Sequence, residues 1–239
     1  MYYGYYGFDW TYLVLVLPCI LLSLWASSSV KSTFRRYSTQ YSTRRITGAD
    51  AAAKVLRNNG VQNVRIERIS GNLTDHFDPK TNVIRLSDSV YDSTSTAAIG
   101  VACHEAGHAV QYATHYVPIK LRAAIIPVTN FGSKLAMPLI LIGILLSFAG
   151  NLSYTLVYLG IACFSLSLIF QLITLPVEFN ASRRAIRAIE DAGILSAQEL
   201  VGARKTLKAA AMTYVAATAV SLTQLLRLIV LFGGRRRRD

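Results

Sequence analysis

His104, Glu105 and His108 lie within an otherwise apolar run, Val101–Ala113. Ionisable groups in such a run are costly unless they are paired or bind a metal. The run fits the pattern H-E-x-x-H. On a helix, residues four apart share a face, so His104 and His108 can grip one metal ion through neutral imidazoles. Glu105 is turned about 100° away from His104. It is off the shared face and placed to take a proton from a water held by the ion. That division of labour is the one metal-assisted hydrolysis needs.

A tetrahedral catalytic zinc takes a third protein ligand and leaves one position open. In the longer pattern H-E-x-x-H-x-x-G-x-x-H the third histidine would be residue 114, but Thr114 stands there and Gln111 occupies the glycine position. His115 falls on the same face yet lies about 10 Å along the axis from His108. Between Asp92 and Glu190 the only acids are Glu105 and Glu178. Glu178, in "LPVEFNASRRA", therefore stands out.

These residues need elements to position them. Asp92-Ser93-Thr94-Ser95 is a cluster of helix-start residues just before the motif. Upstream, Thr47 with Asp50 starts a helix that Gly60 can end. "VRIERI" alternates as a half-buried strand does, and "NVIRLS" reads as a second short strand. Helix, two strands and motif helix make an α+β module of roughly 80 residues, marginal alone and braced by neighbouring segments. Further on, Ser196 and Glu199 form a capping box for a helix running towards the end of the chain.

The rest of the chain is strongly apolar. Of its 239 residues, 52% are hydrophobic and only 16% charged, with 25 Lys+Arg against 13 Asp+Glu. Basic charge on so apolar a chain points to membrane flanks and away from nucleic acid. Four long apolar stretches run over Trp10–Ala26, Leu135–Ala149, Tyr154–Pro176 and Ala209–Phe232. The middle two read as a helical hairpin, and Arg227 interrupts the last. The three cysteines have no metal or disulfide spacing.

Orientation follows from the flanks. Lys31, Arg35, Arg36, Arg44 and Arg45 follow the first stretch, while no Lys or Arg precedes it. The N-terminus is therefore expected outside, residues 31–130 in the cytoplasm, and Arg183, Arg184 and Arg187 again in the cytoplasm. The terminal "GGRRRRD" does not fit a simple fourth span. The expected organisation is an N-terminal transmembrane segment (1–30), a cytoplasmic module (31–130), a transmembrane hairpin (131–177), helices with the third ligand (178–208) and a hydrophobic segment with a basic tail (209–239).

The pieces "DHFDPKTNVIRLS", "ACHEAGHAVQ", "PVEFNASRRA" and "EDAGILSAQELVGARKTLKAAAMTYVAA" resemble the YugP-type neutral zinc metallopeptidases of bacterial membranes. The likeness runs from residue 31 through nearly the whole chain. More distantly, the chain is similar to the HtpX heat-shock proteases and the CAAX prenyl proteases. Those relatives carry a later E-x-x-A-D motif, matched here by Glu178-Phe179-Asn180-Ala181-Ser182, with Ser182 in place of the aspartate. The resemblance implies an α-helical multi-pass membrane protein with a small zincin-like (gluzincin-type) α+β module. It implies one zinc ion per chain on His104, His108 and Glu178, with Glu105 as catalytic base. It also implies that the strand in "TDHFDPKTNVIRLS" is the edge strand against which a peptide lies. His76 would then touch substrate, and Asn180 and Arg183 would stabilise an oxyanion or orient a ligand.

The expected activity is hydrolysis of peptide bonds at the cytoplasmic face of the cell membrane, in misfolded or membrane-associated proteins. An intramembrane protease of the site-2 type would draw an Asp ligand from a later span, and none lies between Asp92 and Asp191. A non-catalytic, metal-stabilised scaffold is the remaining alternative, and it would be favoured by loss of Glu105, which is present.

Overall fold

A computed structural model describes residues 10–233, so the N-terminal nine residues and the arginine tail lie outside the described residues. After a π-helical turn at Tyr12–Val16 come α1 (Leu17–Tyr37), α2 (Gly48–Asn58), β1 (Arg65–Ile69), β2 (His76–Asp78) and β3 (Val83–Ser87). Four helices follow: α3 (Thr96–Ala113), α4 (Val117–Leu145), α5 (Asn151–Asp191) and α6 (Ala197–Gly233). The described residues divide into two units. One holds residues 10–25, 122–173 and 214–233, and the other 26–121 and 174–213.

The first unit is wholly helical. Four helices of the chain, Tyr12–Tyr37, Val117–Leu145, Asn151–Asp191 and Ala197–Gly233, are long and apolar enough to cross a membrane. Large apolar side chains such as Leu24, Leu141, Leu159 and Leu172 are exposed on them. A patch that extensive needs lipid to cover it. Inside the unit α4 meets α5 through small residues. A Cβ on Gly160 would lie 2.8 Å from the Ala136 carbonyl oxygen, and one on Gly143 would lie 2.9 Å from that of Ser153. Such close backbone approach is how helices associate where lipid removes the hydrophobic drive. The Ser153 hydroxyl adds a 2.6 Å hydrogen bond to the Gly143 carbonyl. Arg227, awkward in an apolar stretch, has its guanidinium 5.3 Å from the centre of the Tyr12 ring, a cation–π arrangement.

The second unit carries the sheet and a single core. Thr47 caps α2 by accepting from the Asp50 N–H, and Ser95 caps α3 by accepting from the Ala98 N–H. The strand order is β1-β3-β2, with β3 parallel to β1 and antiparallel to β2. This corrects one expectation. The "NVIRLS" strand is the middle of the sheet, and β2 forms an edge. The physical reason shows in its burial: Val83, Ile84, Leu86 and Ser87 are all at 0% exposure, as a strand covered on both faces and paired on both sides must be.

Helix boundaries also differ from the apolar stretches. Helix α4 begins at Val117, well before Leu135, and passes through Pro127 and Pro138. Helix α5 passes through Pro176 without a break and ends only at Asp191, two residues before Gly193. There a positive φ of 55° lets the Gly193 and Ile194 N–H groups cap the carbonyls of Glu190 and Ile189. The turn between α4 and α5 falls over 146–150, so Asn151 and Ser153 already belong to α5.

The capping box at α6 is present and does more than cap. One Glu199 oxygen accepts from the Ser196 N–H at 2.8 Å, and the other from the Thr43 N–H at 2.7 Å. Burial alone would raise this carboxyl, but the bonds from Ser196 and Thr43 outweigh it and hold it below the usual range. A depressed folded value means that its stabilisation is present above the ordinary glutamate range and is lost as pH falls through the folded value. Glu199→Gln should therefore lower the melting temperature at neutral pH, by the equivalent of about 1 kcal/mol. The gap between variant and wild type should shrink at pH 3, as thermal melts at the two pH values would show.

Candidate metal centre

Helix α3 is built to be approached closely. Its inner face is Ala97, Ala98, Ala102, Ala106 and Ala109, all buried, with Gly100 and Gly107 between them. A Cβ on Gly100 would lie 3.1 Å from the Ala203 Cα on α6, and one on Gly107 would lie 2.8 Å from the Ala181 carbonyl oxygen on α5. The glycine inside H-E-A-G-H thus lets α5 come within backbone contact, less than one turn beyond Glu178. Substituting alanine there would gain about 1 kcal/mol of helix propensity. It would also force two backbones apart at a cost of about 1–3 kcal/mol. The overlap is with a carbonyl, which no rotamer change relieves, so the cost wins.

That approach brings the three expected ligands together. Among the described residues, His104, His108 and Glu178 form a group whose donor atoms lie within 4.8 Å of one another. Glu178 Oε2 is 3.2 Å from His104 Nε2 and 3.6 Å from His108 Nε2. Ligand atoms at two corners of a tetrahedron with zinc bonds of 2.0–2.1 Å are about 3.4 Å apart. Glu178 is only 2% exposed. Burial works against its charge, but the hydrogen bonds with His104 and His108 prevail and hold its carboxyl below the usual range. Burial likewise pushes His108 down, while Glu178 and Glu105 push it up and prevail. The centre is thus an anionic pocket set to receive positive charge, with a donor set that suits zinc.

The far sides of both imidazoles are held. The Ser182 hydroxyl lies 3.2 Å from His104 Nδ1. His108 Nδ1 is 3.0 Å from Gln111 Oε1. An amide oxygen only accepts, so Nδ1 carries a proton, and in the neutral imidazole Nε2 is the atom whose lone pair would bind an ion. The Gln111 amide nitrogen fixes that assignment by donating to the Val177 carbonyl at 2.8 Å and to Asn180 Oδ1 at 3.0 Å. Arg184 Nε donates to the same Asn180 oxygen at 2.8 Å.

Gln111 is the functional residue that the sequence reading missed. It was noted only as a departure from the longer histidine motif. The signal was available: an amide three residues after His108 shares its helix face, in a run that is otherwise apolar. Gln111 is fully buried and ties the motif helix to the ligand helix.

The remaining candidates are placed as follows. Glu105 is 8% exposed, and its charge reaches both His108 and Asp75. Asp75 sits just before β2, accepts from the Ser87 N–H at 2.7 Å, and has its carboxyl raised chiefly by burial. His76 lies in β2 and pairs through Nδ1 with the Thr74 carbonyl, outside the three-ligand group. Asn180 is committed to Gln111 and Arg184. Arg183 is exposed on α5. His115 ends α3 in the left-handed region, φ 55°, where the Tyr116 N–H caps the Gln111 carbonyl.

A family model described as "Putative neutral zinc metallopeptidase" matches residues 12–233. The chain belongs to this family. It is 46% identical over 221 residues to "Putative membrane protease YugP" of Bacillus subtilis (strain 168), a match covering 92% of this chain and 96% of that protein. No solved structure matches this chain. Family membership and the four apolar helices make this a membrane protein of the zinc metallopeptidase family.

Gln111→Leu keeps the volume but removes the hydrogen bonds that Gln111 makes with His108 Nδ1, the Val177 carbonyl and Asn180 Oδ1. Zinc affinity should fall about 10–100-fold with helicity retained, as competition with a chromophoric chelator and circular dichroism would report. Gly107→Ala should both lower the melting temperature and weaken zinc, because it moves the helix that carries Glu178.

Proposed function

We propose that the chain is a zinc-dependent endopeptidase embedded in the cell membrane, which cleaves peptide bonds in misfolded or membrane-associated proteins. The observation that supports this best is the convergence of His104, His108 and Glu178 beside Glu105. His104, His108 and Glu178 would hold the ion. When bound, zinc supplies a Lewis acid that lowers the pKa of a water and polarises a scissile carbonyl. Glu105 accepts the proton of the attacking water and hands it to the leaving amine nitrogen. Gln111 and Ser182 keep both Nε2 atoms facing Glu178, so the ligands need little rearrangement.

An extended substrate segment would add to the free edge of β2, where backbone hydrogen bonds bind without regard to side chain. Phe77 of β2 packs edge-on against Tyr112 of α3, ring centres 5.6 Å apart, which ties that edge to the motif helix. His76 is the β2 side chain assigned to substrate contact. Asn180 acts on His108 through Gln111. In this reading the N-terminus is outside and the centre faces the cytoplasm, since Lys31, Arg35, Arg36, Arg44 and Arg45 follow the first apolar stretch.

Glu105→Gln should bind zinc as wild type does, since the ligands are intact. Its hydrolysis of casein or an unfolded membrane protein should fall about 10²–10⁴-fold. Cleavage at the wild-type rate would rule out Glu105 as the base. Glu178→Gln should lose most of the zinc affinity, whereas Glu190→Gln should not. Full stoichiometry at unchanged affinity in Glu178→Gln would remove Glu178 from the ligand set. For topology, a reporter near residue 45 should read cytoplasmic and one at Gly150 external, and the opposite pair of signals would reverse the orientation.

A further inference from the structure

Helices α5 and α6 line a groove of about 420 Å³ beside the candidate metal centre. Its floor is Phe179, Ile186, Leu207, Ala211 and Met212. Leu207 and Ala211 are buried, and Phe179 is 44% exposed. Arg183, Arg187, Arg204 and Lys208 also line it, and all four are exposed. Glu190 is the only carboxylate in the lining, and it sits 3.5 Å from Arg204. Four cations to one acid around an apolar floor call for a ligand with a negative head and a hydrocarbon body.

The chain itself indicates where such a ligand comes from. Phe179 follows Pro176, the end of one apolar stretch, by three residues, and Ala211 and Met212 already belong to another, Ala209–Phe232. The cavity is therefore lined where each helix passes between polar and lipid-facing sequence. Basic side chains at that level meet lipid phosphates, and apolar side chains beside them meet acyl chains. A soluble acidic peptide would match the rim but leave the floor unused.

We propose that this groove binds an anionic phospholipid, with its phosphate on Arg183, Arg187, Arg204 and Lys208 and its acyl chain along the floor. Ser182 lines the same cavity and holds His104 Nδ1 from behind, so the lipid packs behind one of the candidate zinc ligands. The proposal rests on the membrane placement of α5 and α6 and not on the protease reading, and its test reads lipid without reading hydrolysis.

The test is native mass spectrometry of the full chain in detergent, titrated with phosphatidylglycerol or phosphatidylcholine of the same acyl chains. Phosphatidylglycerol should be retained at least about tenfold more tightly, as expected for a site with several phosphate-binding cations. Arg183→Gln, Arg187→Gln and Lys208→Gln combined should abolish the preference. All three side chains are exposed, so the fold should survive. Arg35→Gln with Arg36→Gln, exposed on α1 outside the groove, should leave the preference intact. Equal retention of the two lipids, or a preference surviving in the triple variant, would overturn the proposal. So would its equal loss in the α1 variant, which would mean general surface charge. Full displacement by millimolar inorganic phosphate would reduce the groove to a bare anion site. Displacement by an acidic peptide that the groove itself retains would make it a peptide site.

Discussion

A carboxylate at 2% exposure has to be matched by charge or hydrogen bonds, because its desolvation is otherwise prohibitive. Glu178 is matched by two imidazoles at 3.2 and 3.6 Å, and the facing surfaces of α3 and α5 are arranged around that contact. Helix α3 must approach α5 and α6 until backbones touch, so Gly107 faces Ala181 on α5 and Gly100 faces Ala203 on α6. A larger residue at Gly107 or Ala181 would push the helix that carries Glu178 away from the two imidazoles. Small residues on α3 thus set the reach of a side chain 74 positions later in sequence.

Close approach brings the atoms together but does not decide how they point. That falls to Gln111, whose single amide uses its oxygen on His108 and its nitrogen on Val177 and Asn180. An amide is the side chain that can accept at one atom and donate twice at the other. Glutamate in its place would face the Val177 carbonyl and Asn180 Oδ1 with a second anionic oxygen. Ser182 meets His104 Nδ1 from behind as Gln111 meets His108, with a neutral hydroxyl. The negative charge of the centre therefore comes from Glu178 and nearby Glu105, without a further carboxylate behind the histidines.

The sequence made the chemistry more legible than the architecture. H-E-x-x-H on a helix and Glu178 as one of only two acids in a long stretch could be read because the spacing of chemically rare residues carries its own meaning. The cap residues Thr47, Ser95 and Ser196 could be read for the same reason, since each side chain acts within three positions of itself. Strand order could not. Nothing within "NVIRLS" states that a three-residue strand, His76–Asp78, will pair along its second edge, because pairing is a property of two segments. Pro176 misled in a related way. It reads as a helix end in water, but an apolar helix with packed neighbours tolerates the lost hydrogen bond, so α5 continues to Asp191. Gln111 was overlooked because it was compared with a longer motif and not with its own helix face.

The continuity of α5 has a consequence that its sequence segments, taken singly, do not suggest. Glu178 lies five residues after Ile173, the last α5 residue of the helical unit, with helical hydrogen bonding on both sides. A loop at that junction would let the carboxylate wander and would need a polar environment for its backbone. A helix instead fixes the rotation of Glu178 about the axis relative to Val177, Asn180 and Ala181, the α5 residues that meet α3. A single residue inserted between Glu178 and Asn180 would turn the carboxylate by about 100° relative to the Asn180 and Ala181 contacts. Composition would barely change and the centre would be lost, so the spacing of Glu178 from the residues that pack α5 on α3 is as much a part of the site as the ligands themselves.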